Sequence, residues 1–196
     1  MPTIIPDSKP RLSAEELNQR IAPFAISRQT YPLLVVGIRG YYKDSMGAPG
    51  VNDRGIYDDA LFIDSPSATV AYNGNTDPTG YRRGHGTGRT KGMATLKTGA
   101  WYVHKFAKHK GQYLALCQRA GAVTVMRDGT PDYEDTGDDF GINIHKGGNS
   151  GTSSLGCQTI HPSQWDGFIE TAVDQAKRYF SNDWNKTIIP YVLLSN

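Results

Sequence analysis

Residues 93–127 read MATLKTGAWYVHKFAKHKGQYLALCQRAGAVTVMR, and this stretch decides the fold class. It breaks into four short runs rich in β-branched and aromatic residues, at about 93–97, 99–106, 112–118 and 122–127, each closed by a turn. Asp128-Gly129 supplies a tight turn after the last of them. Two further runs follow at about 140–145 and 157–161. Short strands at such regular spacing predict a mainly β domain, a β-sandwich or open barrel, with only a few helices.

Outward toward the N-terminus, Tyr31 opens PLLVVGI, continuously apolar and therefore expected to form a strand buried on both faces. Residues 40–64 mix glycine, aspartate and aromatic residues without a period and read as a loop-rich face. ATVAYNGNTDPTG then predicts a strand closed by a turn cluster, and YRRGHGTGRTKG, residues 81–92, reads as exposed basic loop. Residues 1–12 carry three prolines and read as an arm. Ser13 and Glu16 form a reciprocal capping pattern ahead of Leu17, Ile21 and Phe24, which predicts a short helix over about 14–22 that Pro23 ends. The expected division is an N-terminal arm and helix over 1–30 and one domain over 31–196.

Toward the C-terminus one long amphipathic helix is expected over about 163–181, capped by Ser163 with Asp166. Its apolar stripe comprises Trp165, Phe168, Ile169, Ala172, Val173, Ala176, Tyr179 and Phe180. TIIPYVLL reads as a final strand that Pro190 confines to an edge or a bend.

With 196 residues, 21 Lys and Arg against 19 Asp and Glu, and no block of like charge, nothing marks a nucleic-acid partner. No run reaches the roughly 18 apolar residues of a membrane span. The start, MPTIIPDSKPR, lacks the basic-then-apolar layout of a signal peptide, so the expectation is a chain made in a bacterial cytoplasm. Oligomeric state is not legible. Two cysteines, Cys117 and Cys157, are too few for a disulfide framework, and Cys117 lies in the apolar run YLALC, as buried free thiols do.

The chemistry concentrates in GINIHKGGNSGTSSLGCQTIHPSQW, residues 141–165. A catalytic cysteine acts as thiolate and needs a base beside it. His145 closes a short apolar run, Cys157 follows it twelve positions later, and a glycine- and serine-rich loop between them suits two strand ends brought together. Gly156 allows a tight approach, Ser154 can bond across the loop, and backbone amides near Gly156 and Cys157 would face an oxyanion. Gln158, Gly147 and Lys146 join these as candidate substrate contacts. A backbone carbonyl would orient the other ring nitrogen of His145. His104 and His109 read as surface groups, His109 with access to a cleft, His161 as a structural hydrogen-bonding residue before the helix, and His85 as an exposed loop residue.

GINIHKGG followed by SSLGCQT resembles the signature of the L,D-transpeptidase catalytic domain, the YkuD domain, in which a histidine-glycine segment precedes Ser/Thr-His-Gly-Cys. NGNTDP, TLKTGAW, VTVMRDG and FGINIHKGG are similar to phage and prophage proteins with a reduced version of it. The resemblance implies Cys157 as nucleophile, His145 as base, Ser154 and Gly156 shaping the oxyanion side, no cofactor and no metal. Leu155 stands where the family has histidine, and Thr159 where an arginine commonly follows the cysteine. The implied activity is a peptidoglycan stem-peptide hydrolase, endolysin-like, that acts at the cell wall after release. Cross-linking by transpeptidation is the alternative. Two rivals come from other classes. One is a zinc peptidase using His85, His109, His145 and aspartates, for which no close ligand spacing speaks. The other is a non-catalytic wall-binding or virion module whose Tyr41, Tyr42, Tyr57, Tyr72, Tyr81 and Trp101 would stack on sugars.

Overall fold

The computed structural model describes residues 3–84 and 91–196 and is mainly β with two helices. Its strands are β1 (Leu34–Arg39), β2 (Asp59–Ser65), β3 (Ala68–Asn75), β4 (Ala94–Leu96), β5 (Gly99–His109), β6 (Tyr113–Gln118), β7 (Val123–Arg127), β8 (Tyr133–Gly137), β9 (Ile144–Lys146), β10 (Gln158–Ile160) and β11 (Ile189–Ser195). The helices are α1 (Ala14–Ile21) and α2 (Pro162–Phe180). Eight strands close a barrel in the order β1-β11-β5-β6-β9-β10-β3-β2, and β4-β7-β8 form a separate three-stranded sheet. The pairs β1/β11 and β9/β10 are parallel.

Side-chain alternation sorts the core into two clusters. Leu33, Val35, Leu61, Ile63, Tyr191 and Leu193 join Trp165, Phe168, Ala172 and Ala176 of α2. Their neighbours Leu34, Val36, Ile38, Ala60, Phe62 and Val192 join Leu17 and Ile21 of α1. Each fully buried aliphatic side chain contributes about 1.5–3 kcal/mol of transfer free energy, so α1 is held chiefly by Leu17 and Ile21. The Ser13–Glu16 capping box is formed. The N-terminal arm lies on the barrel: Asn73 Nδ2 donates to Ser8 O at 3.0 Å and Tyr57 N to Ile4 O at 2.7 Å.

Several expectations need correction. β2 lies inside the stretch read as loop, because burial on both faces removes the period and Asp59 and Asp64 disguise an otherwise apolar strand. β8, YEDTG, is equally unannounced, being half-exposed and polar. The strand expected over about 140–145 begins only at Ile144, and β5 runs on to His109. Asp128-Gly129 opens a connection extending to Asp132, where the Asp132 side chain accepts from Gly129 N at 2.8 Å, so it is no two-residue hairpin turn. Helix α2 is capped by His161, which accepts from Ser163 N, with Pro162 in the first turn; Ser163 is inside the helix. β11 is not an edge: it sits between β1 and β5, and the register shift between Ile189 and Tyr191 absorbs Pro190.

Candidate active site

β9 and β10 run side by side with Gln158 opposite Ile144 and Thr159 opposite His145. By alternation, Asn143, His145, Cys157 and Thr159 belong to one face, and Ile144, Gln158 and Ile160 to the other. Gln158 N donates to Asn143 O at 2.8 Å, which holds Cys157 beside Asn143 just before β10 begins.

The Cys157 sulfur donates to Gly141 O at 3.1 Å and accepts from Asn143 N at 3.4 Å. The residue is partly exposed and lines a pocket of about 530 Å³. Burial pushes its thiol up to about 11 despite the Asn143 amide, so the resting sulfur is protonated at neutral pH. Cys117 is buried, and both thiols are free.

His145 is buried, with Nδ1 at 2.7 Å from Lys146 O. A carbonyl only accepts, so Nδ1 carries the proton and Nε2 keeps its lone pair, the tautomer of a base. Burial pushes the imidazolium down to about 4, the Lys146 carbonyl opposing and His109 and Lys110 adding to the shift. The His145 ring stacks on His109, centroids 4.2 Å apart and planes at 18°. Asn143 Oδ1 accepts from Gln118 N at 2.9 Å, which turns its amide nitrogen to His109 Nδ1 at 3.2 Å. Among the described residues no hydrogen bond joins the Cys157 sulfur to the His145 ring. They are linked through Asn143, whose backbone touches the sulfur and whose side chain holds the partner of the ring.

The connecting loop is fixed from within. Ser154 Oγ donates to Cys157 O at 2.7 Å and accepts from Gly156 N at 2.9 Å, while Ser154 N donates to Thr79 Oγ1 at 2.7 Å. Gly156 N–H is therefore used internally, and of the two amides expected to face an oxyanion Cys157 N–H has no intramolecular acceptor among the described residues. Gly156 has φ of +154°, and a Cβ there would stand 2.5 Å from Ala94 O, so the loop crosses the β4 backbone only as glycine.

The remaining candidates are placed differently. Gln158 is fully buried, bonded to Tyr191 Oη at 3.0 Å and to Gly156 O, and turned away from the pocket. Gly147 packs under the Tyr57 hydroxyl, and exposed Lys146 lies over the Tyr113 ring at 5.4 Å. Leu155 is 60% exposed at the pocket, and Thr159 Oγ1 is buried without a partner. His104 and His109 are buried, not surface groups; His104 Nε2 bonds Ile142 O at 2.9 Å. His85 lies outside the described residues. Of the aromatics considered for sugar stacking, Tyr57 and Tyr72 are core residues, whereas Tyr81 is exposed. Among the described residues no three His, Cys, Asp or Glu converge as metal ligands, and no helix is long and apolar enough to cross a membrane.

Sequence reading missed Asn143, although a polar residue inside the apolar run GINIH was a usable signal. It also missed the charged pocket wall of Arg82, Lys91 and Arg127, because residues scattered over a loop and a strand carry no local pattern. Comparisons with protein-family models, curated proteins and solved structures find no match to this chain.

Proposed function

We propose that the protein is a peptidoglycan stem-peptide hydrolase of L,D-transpeptidase type, with Cys157 as nucleophile and His145 as base. What carries the reading is a thiol at the wall of an open pocket, next to a strand whose histidine is held with Nε2 unprotonated. The resting pair is thiol and neutral imidazole, so the proton leaves sulfur as the attack proceeds. The sulfur turns from Gly141 O, its proton passes to His145 Nε2, and a C–S bond forms at the acyl carbon. The oxyanion falls to Cys157 N–H. Collapse breaks the C–N bond, and the departing amine takes the proton from the imidazolium. Water, deprotonated by the same ring, then hydrolyses the thioester; an amine in its place gives the cross-linking alternative. In biological terms the reading is a phage-type lysis enzyme acting at the wall after release.

The bond from the resting thiol to Gly141 O favours a second reading, a non-catalytic wall-binding module. Mass spectrometry of muropeptides incubated with the reduced protein separates the two. New stem-peptide fragments that vanish with Cys157→Ala support the enzyme. Unchanged muropeptides, with wall binding equal for both proteins, overturn it.

A further inference from the structure

The pocket beside the Cys157 sulfur is walled by Arg82, Lys91, Arg127 and Asp139, with Phe140 and Leu155 as apolar surface. Arg127 is nearly buried and rigidly held: Nε bonds Asp135 at 2.6 Å and Nη1 bonds Gly92 O at 3.1 Å. Its Nη2 has no partner among the described residues. Lys91 Nζ shares the same Asp135 carboxylate at 2.9 Å, so one anion serves two cations. Both cations also lie over the Phe140 ring, at 4.8 and 4.6 Å. Burial raises the Asp135 carboxyl, but the bonds from Lys91 and Arg127 outweigh it and hold it ionised. Arg82 is exposed and makes no ion pair among the described residues, while its backbone is pinned by Asp128 and Met93. Arg82, Lys91 and Arg127 thus meet Asp135 and Asp139, Asp128 being paired with Arg54, and the cation-rich wall adjoins the sulfur.

We propose that this wall recognises a free carboxylate of the peptide substrate and so selects acyl donors with an unmasked carboxylate near the scissile amide. The unpartnered Arg127 Nη2 and the Arg82 and Lys91 charges suit an anion, and Phe140 and Leu155 accommodate the carbon skeleton next to it. The proposal rests on the acyl-transfer reading for its substrate class. Two carboxylates of a stem peptide fit, the C-terminal one and that on a diamino diacid side chain.

The test is equilibrium binding by fluorescence anisotropy to the Cys157→Ser protein, which binds without turning over. The probe is an N-terminally labelled stem tetrapeptide as free acid, C-terminal amide, side-chain amide and double amide. The free acid is expected to bind at least about tenfold tighter than the double amide, because a charge-assisted contact is lost. The two single amides show which carboxylate is gripped. Arg82→Gln and Lys91→Gln, confirmed folded by circular dichroism, each weaken the free acid about tenfold and leave the double amide unchanged, and Arg82→Lys restores part of the loss. Equal affinity for acid and double amide, no binding of either, or discrimination that survives both Gln variants overturns the pocket, even if the wild-type protein cleaves the peptide. Discrimination by a protein whose wild type cleaves nothing upholds the pocket and overturns the hydrolase.

Discussion

His109 and His145 lie face to face, ring centroids 4.2 Å apart and planes at 18°, one at the end of β5 and the other in β9. Two imidazoliums at that separation would repel, and both rings are already held below the ordinary histidine range, His109 by burial and then by Lys110 and Arg119. The stack therefore fixes a neutral pair. Asn143 ties that pair to the amide that touches the sulfur, which makes His109 a positioning residue for the site.

An acid limb displaced from the usual histidine range follows. In the proposed mechanism only the neutral His145 ring takes the thiol proton, and its value is lowered to about 4, so the proposed activity should persist at mildly acidic pH and be lost as pH falls through about 4. His109→Phe keeps the stacked ring and removes the like charge that His109 acquires in acid, so the limb moves upward slightly while burial, the larger cause, holds it below the ordinary value. A pH profile of kcat/KM for both proteins checks this; a wild-type limb at the ordinary histidine value sinks the assignment of His145 as a buried base.

Alkylation of Cys157 should be slow at neutral pH. With the thiol at about 11, the thiolate is about one part in ten thousand at pH 7, and only the thiolate reacts with iodoacetamide. The rate rises about tenfold per pH unit up to that value, whereas a thiolate–imidazolium pair would react fast and nearly independently of pH. Mass spectrometry resolves Cys157 from Cys117, whose thiol burial also raises.

How much of this was legible follows from where each signal lives. Capping at Ser13, the stripe of α2 and the existence of four short strands within residues 93–127 are local patterns, and they appear as read apart from the longer β5. β2 was hidden because a strand buried on both faces has no alternation, and its aspartates mimic a loop. Pro190 suggested an edge or a bend, and the register shift between Ile189 and Tyr191 lets a central strand keep it. At the candidate site, the nearness of Cys157 to the β9 strand and the Ser154 and Gly156 contacts within the loop were legible, because they lie among neighbouring residues. The burial of Gln158, the stack with His109 and the cationic wall depend on strands far apart in sequence, and no window of the chain contains them.

Ser154 binds both sides of the turn that carries Cys157, so its loss should reach the sulfur. Ser154→Ala removes one acceptor and one donor, leaves Gly156 N–H unpaired in a buried position, and costs about 1–3 kcal/mol. Gly156→Ala places a methyl against Ala94 O, with an overpacking cost of about 1–3 kcal/mol, and shifts the loop. Urea unfolding measures the first effect. For Gly156→Ala, kcat should fall more steeply than stability predicts; full activity in a folded variant would show that the loop does not position the sulfur.

The last expectation concerns a buried carboxyl away from the thiol. Asp58 accepts from Asp53 N at 2.7 Å through one oxygen, while the other is buried without a partner, near the Asp77 and Asp53 carboxylates. Burial raises this carboxyl to about 7, and the neighbouring carboxylates add to the shift. The folded state thus binds the proton more tightly than the unfolded chain, so the stabilisation is complete below the ordinary aspartate value and is lost as pH rises through about 7. Asparagine keeps the acceptor for Asp53 N, never ionises, and offers an amide to the neighbouring carboxylates. Asp58→Asn should therefore raise Tm at pH about 8.5 by on the order of 2–4 °C per kcal/mol recovered, with a smaller gain at pH about 5. Calorimetry at the two pH values decides it: an equal change at both, or a gain confined to the acidic sample, means that Asp58 does not titrate in the folded barrel.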